Sequence, residues 1–139
     1  MSAVTLVEYD DACAEVRAVY EDIARVRGID PRHVNNAWKA QAIHPANLRS
    51  SWERARRVMA PGAIDNVTKE MIYLAVSMSQ QCDYCVASHS YQARRKGVTE
   101  AQMAELIAIV GLAVESNRMV AAYRIPVDED FSRAFGGSG

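Results

Sequence analysis

The chain has 139 residues, the length of one ordinary domain, and half of them are apolar while 24% are charged. This balance is typical of a folded globular protein and excludes an intrinsically disordered one. The formal net charge of −1 provides no basic surface for nucleic acid or for an anionic membrane.

The cysteine content and the N-terminus indicate a compartment. The N-terminus lacks a basic segment followed by a long apolar run, so we expect no signal peptide, and we expect no membrane span because no stretch approaches roughly 18 uncharged apolar residues. Three cysteines do not make a secreted disulfide framework. We therefore expect a cytoplasmic protein, where a close cysteine pair is more often catalytic or metal-binding than structural.

Helical periodicity dominates the chain and predicts six helices. The first runs from about residue 10 to 27 and stops at Gly28, which tolerates the left-handed conformation that ends many helices. The second begins after Asp30, a cap followed by a first-turn proline, and breaks at His44 because the next residue is also a proline. The third covers roughly residues 46 to 59.

The fourth helix follows a cap at Asp65 or Asn66, and the fifth covers the Cys-x-x-Cys segment and ends at Lys96. No run shows the period-two alternation of a strand, so the fold class is predicted to be all-α. We expect a single domain over residues 1–139, with a flexible C-terminal tail from about 132 to 139.

The sixth helix opens with a capping box at Thr99 and Gln102 and runs to about residue 123. Its predicted core stripe consists of Met103, Leu106, Ile107, Val110 and Val114, while Ile109, Leu112 and Ala113 lie off that stripe. A helix that is apolar nearly all round is buried on several sides. In so small a domain another subunit is the simplest cover, so we expect a homo-oligomer.

The segment with the most chemical information contains Cys82, Cys85 and His89. Their i, i+3, i+7 spacing places all three side chains on one face of a helix. Two α-carbons three residues apart are separated by about 5 Å, within the range that a disulfide requires. If the helix begins near Cys82, the free amides of its first turn lower the pKa of a thiol there. His89 can then take or relay a proton.

Glu70 is the second candidate residue, because it lies on or near the inward face of the fourth helix, where an unpaired carboxylate is costly. If helices four and five fold back on each other around residues 80 and 81, Glu70 and His89 reach similar heights. If one helix ran straight through, Glu70 and Cys82 would lie about 18 Å apart. Only the hairpin predicts a Glu–His–Cys relay.

Other interpretations of these residues are simpler. The cysteines and His89 are compatible with zinc, although no second Cys-x-x-Cys completes a structural site. A thioredoxin-type assignment needs a strand–helix context that this chain lacks. Cys13 shares the apolar stripe of the first helix and is predicted to be an inert buried thiol. The basic cluster at residues 94–96 is predicted to be a solvated face.

The sequence resembles the alkylhydroperoxidase D-like, or carboxymuconolactone decarboxylase, superfamily. The shared pattern is a Glu, eleven residues, and then Cys-x-x-Cys-x-x-x-His, which is met here by Glu70, Cys82, Cys85 and His89. A bare Cys-x-x-Cys is weakly informative, whereas all four positions in register on a helical chain are much more specific. The resemblance covers a core of about residues 10–125.

This resemblance implies a helical fold that assembles as trimers or hexamers and reduces hydroperoxides through a cysteine pair that cycles through a disulfide. By the same analogy Cys85 attacks the peroxide, Cys82 resolves the intermediate, and His89 and Glu70 relay the proton. A lipoyl-bearing or thioredoxin-like protein would supply electrons, and we expect no bound cofactor or metal. In one departure, Tyr84 stands between the cysteines where the better-studied peroxidases carry a His.

Two alternatives stay open at this point. The decarboxylase branch acts on a lactone acid and does not depend on the cysteine pair. A non-enzymatic oligomer could use the disulfide as a redox sensor that alters its assembly.

Overall fold

The computed structural model describes residues 2–136, and these residues contain seven α-helices, one 3-10 turn and no strand. The helices are α1 (Ala14–Arg27), α2 (Asn36–Gln41), α3 (Pro45–Met59), α4 (Asn66–Ser79), α5 (Asp83–Arg95), α6 (Glu100–Tyr123) and α7 (Glu129–Gly136). The predicted all-α fold class is confirmed.

The first part of the chain differs from the prediction in detail. The second helix is divided into a 3-10 turn, Pro31–His33, and the short α2, because the Asp30 side chain accepts the Arg32 N–H and closes a tight turn. Helix α1 begins only at Ala14, and Cys13 is its exposed N-cap. The prediction of a buried Cys13 is therefore wrong, since the residue precedes the first helical turn.

A seventh helix overlaps the tail that was predicted to be flexible from about residue 132. Helix α7 continues to Gly136, and residues 137–139 lie outside the described residues. Arg133 pairs with Glu129 and Asp130 at 3.3 Å each, one turn apart on the helix surface. Such i, i+3 and i, i+4 pairs support a short exposed helix.

The chain divides into two compact units, Met1–Pro61 and Gly62–Gly139. Unit 1 contains a core of Ala12, Val16, Val19, Tyr20, Ile23, Val34, Ala42, Leu48 and Trp52. Two of its large aromatic side chains have hydrogen-bond partners: the Tyr20 hydroxyl donates to the Val7 carbonyl at 2.9 Å, and the Trp52 indole donates to Asp22 at 2.6 Å. This unit buries large side chains together with their hydrogen-bond partners.

Unit 2 is built on α4, α5 and α6, around the buried residues Leu74, Ala93, Val98, Met103 and Leu106. Local capping defines its helices. Asp65 accepts the N–H groups of Val67 and Thr68 at the start of α4, and Thr99 and Gln102 form the predicted capping box before α6.

The surface of α6 is largely apolar and exposed. Its exposed large apolar residues are Ile107, Ile109, Leu112, Met119, Val120 and Tyr123. Ile107 was expected in the core but is 53% exposed, because the buried stripe of this helix in the single chain is narrow and contains only Met103 and Leu106. By length and composition alone, α6 is also apolar enough to cross a membrane, a test that core helices of soluble proteins pass as well.

Candidate functional site

The turn between α4 and α5 places the cysteine pair. Gln81 adopts a left-handed conformation with φ of 55°, and the Cys82 N–H then donates to the Ser77 carbonyl at 3.1 Å. A residue in this conformation often ends a helix and satisfies its last carbonyls. The chain reverses here, and α5 starts immediately afterwards.

Cys82 is the N-cap of α5, and its sulfur accepts the backbone N–H of Cys85 at 3.3 Å. The two cysteines form a disulfide, with their α-carbons 5.2 Å apart. The sulfurs therefore lie at the end of a helix whose first-turn amides stabilise negative charge. That is the environment in which a reduced thiol ionises most easily.

Glu70 and His89 meet across the hairpin. The Nδ1 atom of His89 is hydrogen-bonded to Oε1 of Glu70, whose side chain is only 4% exposed. The contact requires α4 and α5 to fold back on each other, and the structure brings these two predicted site residues together. His89 follows Cys85 by four residues on α5, so their side chains share one face of the helix.

Lys96 is a further charged residue of this cluster. Its Nζ atom lies 2.5 Å from Oε2 of Glu70, so both carboxylate oxygens have a partner. Burial by itself raises the pKa of Glu70, but the hydrogen bonds from His89 and Lys96 and the charge of Lys96 outweigh it, and the pKa lies below its ordinary value. Glu70 is therefore an ionised buried carboxylate.

Tyr73 is the other residue that the sequence analysis did not find. Its ring stacks on the His89 imidazole with centroids 3.8 Å apart and an angle of 25° between the planes. The sequence contains a weak signal, because Tyr73 is three residues after Glu70 on α4 and so shares its face. Lys96 had a comparable signal, since it is seven residues after His89, but its position in a basic cluster suggested a solvated side chain.

Together these contacts define an oriented imidazole near a cysteine pair. Glu70 occupies Nδ1 and Tyr73 covers one ring face, which leaves Nε2 for proton exchange. Within residues 2–136, no group of three or more His, Cys, Asp or Glu side chains is arranged to hold a metal ion. The arrangement is that of a dithiol–disulfide centre at the start of α5, with an oriented histidine one turn beyond Cys85 on the same helix.

The helical fold and this centre define a class: small all-α proteins with a Cys-x-x-Cys at a helix N-terminus and a Glu–His pair beside it. The profile of the carboxymuconolactone decarboxylase family matches residues 45–128, more than half of the chain. The chain therefore belongs to the carboxymuconolactone decarboxylase family.

Solved and curated proteins agree with this membership. The crystal structure of the alkylhydroperoxidase AhpD core from Rhodospirillum rubrum is 48% identical, with a TM-score of 0.89 over 94% of this chain and 97% of that one. The predicted alkylhydroperoxidase D-like fold is thereby confirmed. An uncharacterized protein from the cox locus of Paracoccus denitrificans is 44% identical over 50 residues, which are 36% of this chain and 45% of that protein.

An uncharacterized protein of Cupriavidus necator is 40% identical over 48 residues, 34% of this chain and 42% of its own length. The matched segments thus span less than half of either curated relative.

Proposed function

We propose that this protein is a thiol-dependent peroxidase that reduces hydroperoxides through the Cys82–Cys85 pair. One observation carries the proposal: a disulfide at the start of α5 lies on the same helix as a histidine that a buried carboxylate orients. The solved alkylhydroperoxidase core, with its high sequence identity, supports the same reaction class.

In the proposed cycle the reduced Cys85 loses its proton to Nε2 of His89 and attacks a peroxide oxygen as a thiolate. A sulfur–oxygen bond forms and the oxygen–oxygen bond breaks, so the peroxide is reduced to an alcohol whose oxygen takes the proton from His89. Cys85 is left as a sulfenic acid. The Cys82 thiol then loses its proton and attacks the Cys85 sulfur as a thiolate. The sulfur–sulfur bond forms, the sulfur–oxygen bond breaks, and the leaving hydroxide takes the proton that Cys82 gave up and departs as water.

An external dithiol closes the cycle by thiol–disulfide exchange, becoming a disulfide while both cysteines regain their protons. We propose a lipoyl-bearing or thioredoxin-like protein as this donor and the cytoplasm as the location, since dithiol reductants keep thiols reduced there. Glu70 stays ionised throughout. It accepts the hydrogen bond of the Nδ1–H group and stabilises the imidazolium that forms transiently.

We also propose that the protein works as a homo-oligomer, a trimer or a hexamer. Leu112, Met119 and Tyr123 recur at i, i+7 and i+11 on α6, which puts three large exposed apolar side chains on one stripe. Contiguous exposed apolar surface of this kind usually marks an interaction site. A second copy of the chain covers it without requiring a different partner, membrane or nucleic acid.

The test is peroxide consumption in the presence of dithiothreitol. Cys85→Ser is expected to lower the rate by at least about 100-fold, because the hydroxyl is a far weaker nucleophile than a thiolate at neutral pH. When dithiothreitol is left out, Cys82→Ser should reduce one equivalent of peroxide and then stall as a sulfenic acid, which a dimedone adduct detects by mass spectrometry.

Cys13→Ser is the matched control, since Cys13 is an exposed thiol in unit 1 and should leave the rate unchanged. Full activity of Cys85→Ser would refute the peroxidase. A parent protein that consumes no peroxide but changes oligomer size on oxidation would instead identify a redox sensor. Turnover of a lactone acid that resists thiol alkylation would identify a decarboxylase.

A further inference from the structure

We propose that Lys96 is a positioning residue of this site, which holds Glu70 as the hydrogen-bond acceptor of His89 Nδ1 and offsets the charge that this carboxylate presents to the imidazole. The proposal rests on the proposed function for its catalytic consequence. The effect of Lys96 on His89 through Glu70 can be tested whether or not the protein reduces peroxides.

The geometry places Lys96 in a chain of three groups. The Lys96 ammonium binds Oε2 of Glu70 at 2.5 Å, while Oε1 of the same carboxylate binds His89. The Lys96 side chain is 26% exposed and that of His89 is 21% exposed, against 4% for Glu70. The carboxylate thus lies inside and joins two groups that reach towards the surface.

The fold explains how a residue at the end of α5 reaches Glu70 near the start of α4. Lys96 lies two helical turns beyond His89, on the same face, and Cβ atoms tilt towards the N-terminus of a helix. The long Lys96 side chain therefore points back along α5 towards Glu70. Lys96 is also the C-cap, and Gly97 follows with φ of 93°, so this end of the helix is defined by backbone.

Charge decides what this contact does. A buried carboxylate with His89 as its single partner favours the imidazolium, because opposite charges stabilise each other at low dielectric. Lys96 supplies a full positive charge to the same carboxylate, so the Glu70–Lys96 pair is neutral overall and attracts a second cation less strongly than an unpaired carboxylate does. The imidazole is then held by its hydrogen bond to Glu70, and its Nε2 atom can accept the proton of a thiol.

Other charged groups of the packed elements have different partners or positions. Arg94 pairs with Glu100 at 2.8 Å. Lys69 precedes Glu70 on α4, but its Nζ atom lies beside the loop, 3.6 Å from where a Cβ on Gly62 would be. Lys69 is therefore a control of equal charge, one residue from Glu70 and directed elsewhere.

The experiment follows proton uptake by the Glu70–His89 pair with imidazole NMR in the whole protein, in Lys96→Met, Lys96→Arg and Lys69→Met. The chain has three histidines, so His33 and His44 of unit 1 serve as internal references. In Lys96→Met the pair should gain its proton at a pH about one unit higher, since a neighbouring cation is lost. Lys96→Arg and Lys69→Met should resemble the parent, and the two reference histidines should not move.

An unmoved titration in Lys96→Met, or an equal shift in Lys69→Met, would overturn the proposal. Lys96→Gln repeats the test if the methionine variant does not fold. Peroxide consumption as a function of pH gives the second readout. In Lys96→Met the acid limb of the pH–rate profile should shift to higher pH by the same amount as the titration. At pH values below the shifted limb the variant should be about tenfold less active than the parent, and at higher pH the two should be equally active. If the parent itself consumes no peroxide, the proposed function fails while the NMR titration still decides the role of Lys96.

Discussion

The two units of this chain use their buried positions differently. Among the described residues, unit 1 buries nine apolar residues in one cluster, with two tryptophan rings packed edge to face at 5.6 Å. Unit 2 buries five and also encloses the Glu70 carboxylate. Unit 1 therefore combines a larger apolar core with a buried lysine, Lys39, which pairs with Glu8 at 2.6 Å, while unit 2 combines a smaller core with a buried carboxylate and an exposed apolar helix.

Each unit also contains a carboxylate that binds several side chains, and the two carboxylates differ in their exposure to solvent. In unit 1 the hydrogen bond from Trp52 and the contacts of Arg25 and Arg56 lower the pKa of Asp22, whose side chain is 26% exposed. In unit 2 burial opposes ionisation of Glu70, and hydrogen bonds from a cation and a histidine overcome it. The ionised form of Glu70 depends on its partners far more than that of Asp22 does, because the Glu70 side chain has almost no contact with water.

The largest effect is expected from removing these charges. Glu70→Gln should cost about 3 kcal/mol of unfolding free energy, because it leaves a cation without its buried partner. Asp22→Asn should cost about 1 kcal/mol, because water replaces much of what is lost. Urea unfolding at pH 7 measures both, and equal costs would remove the distinction between the units.

The same two variants predict a pH dependence. Both carboxyl pKa values are lowered in the folded state, so their stabilisation is fully present above the unfolded values of about 4 and is lost as the pH falls through the folded values. The parent should lose stability on acidification below about pH 4. Glu70→Gln should flatten this loss, and unchanged acid sensitivity in both variants would contradict the assignment.

The next effect concerns the apolar surface of unit 2. Leu112→Glu should weaken self-association by at least about 100-fold, since Leu112 is 69% exposed in the single chain and a buried unpaired charge is costly. Light scattering over a concentration series measures the mass. Val26→Glu puts the same charge on an exposed valine of unit 1 and should leave the mass unchanged. A Leu112→Glu protein with the parent's mass would show that α6 is not the interface.

A smaller effect is expected from the ring that stacks on His89. Tyr73→Ala should lower peroxide consumption by about three- to tenfold, because an aromatic pair contributes roughly 1 kcal/mol to ring orientation. Tyr73→Phe should keep the parent rate. Tyr91→Ala is the matched control on α5. Tyr91 is exposed, and the Cζ atom of Arg95 lies 5.9 Å from the centroid of its ring. Equal losses in both alanine variants would point to a general effect on the helices.

The smallest effect compares two left-handed turns. Unit 1 ends α1 with Gly28 at φ of 65°, and unit 2 ends α4 with Gln81 at φ of 55°. Gly28→Ala should cost about 1 kcal/mol, because a Cβ is disfavoured there. Gln81→Gly should change the unfolding free energy by less than about 1 kcal/mol, since relief of strain and lost chain entropy oppose each other. Thermal unfolding separates the two, and a large loss at Gln81→Gly would show that its side chain matters.

Much of this architecture was predictable because the signals are local. Capping residues such as Asp65 and Thr99 satisfy amides within three residues, so their helices start where the sequence predicts. The turn at Pro31–His33 and helix α7 were missed because they are short, and a few side-chain hydrogen bonds or ion pairs outweigh a weak periodic pattern. The prediction for Cys13 was wrong for a related reason, since apolar spacing does not locate the first helical turn.

The sequence by itself determined the pairing of Cys82 with Cys85 and the register that brings His89 level with Glu70, because helix rise and helix spacing are fixed by backbone geometry. Only the tertiary structure decided that Lys96 and Tyr73 complete this cluster. A lysine or tyrosine side chain on a helix can also lie exposed to solvent, so its residue type does not show that it belongs to a site. Which group such a side chain contacts depends on how the neighbouring helix packs against it, and the spacing along the chain does not specify that packing.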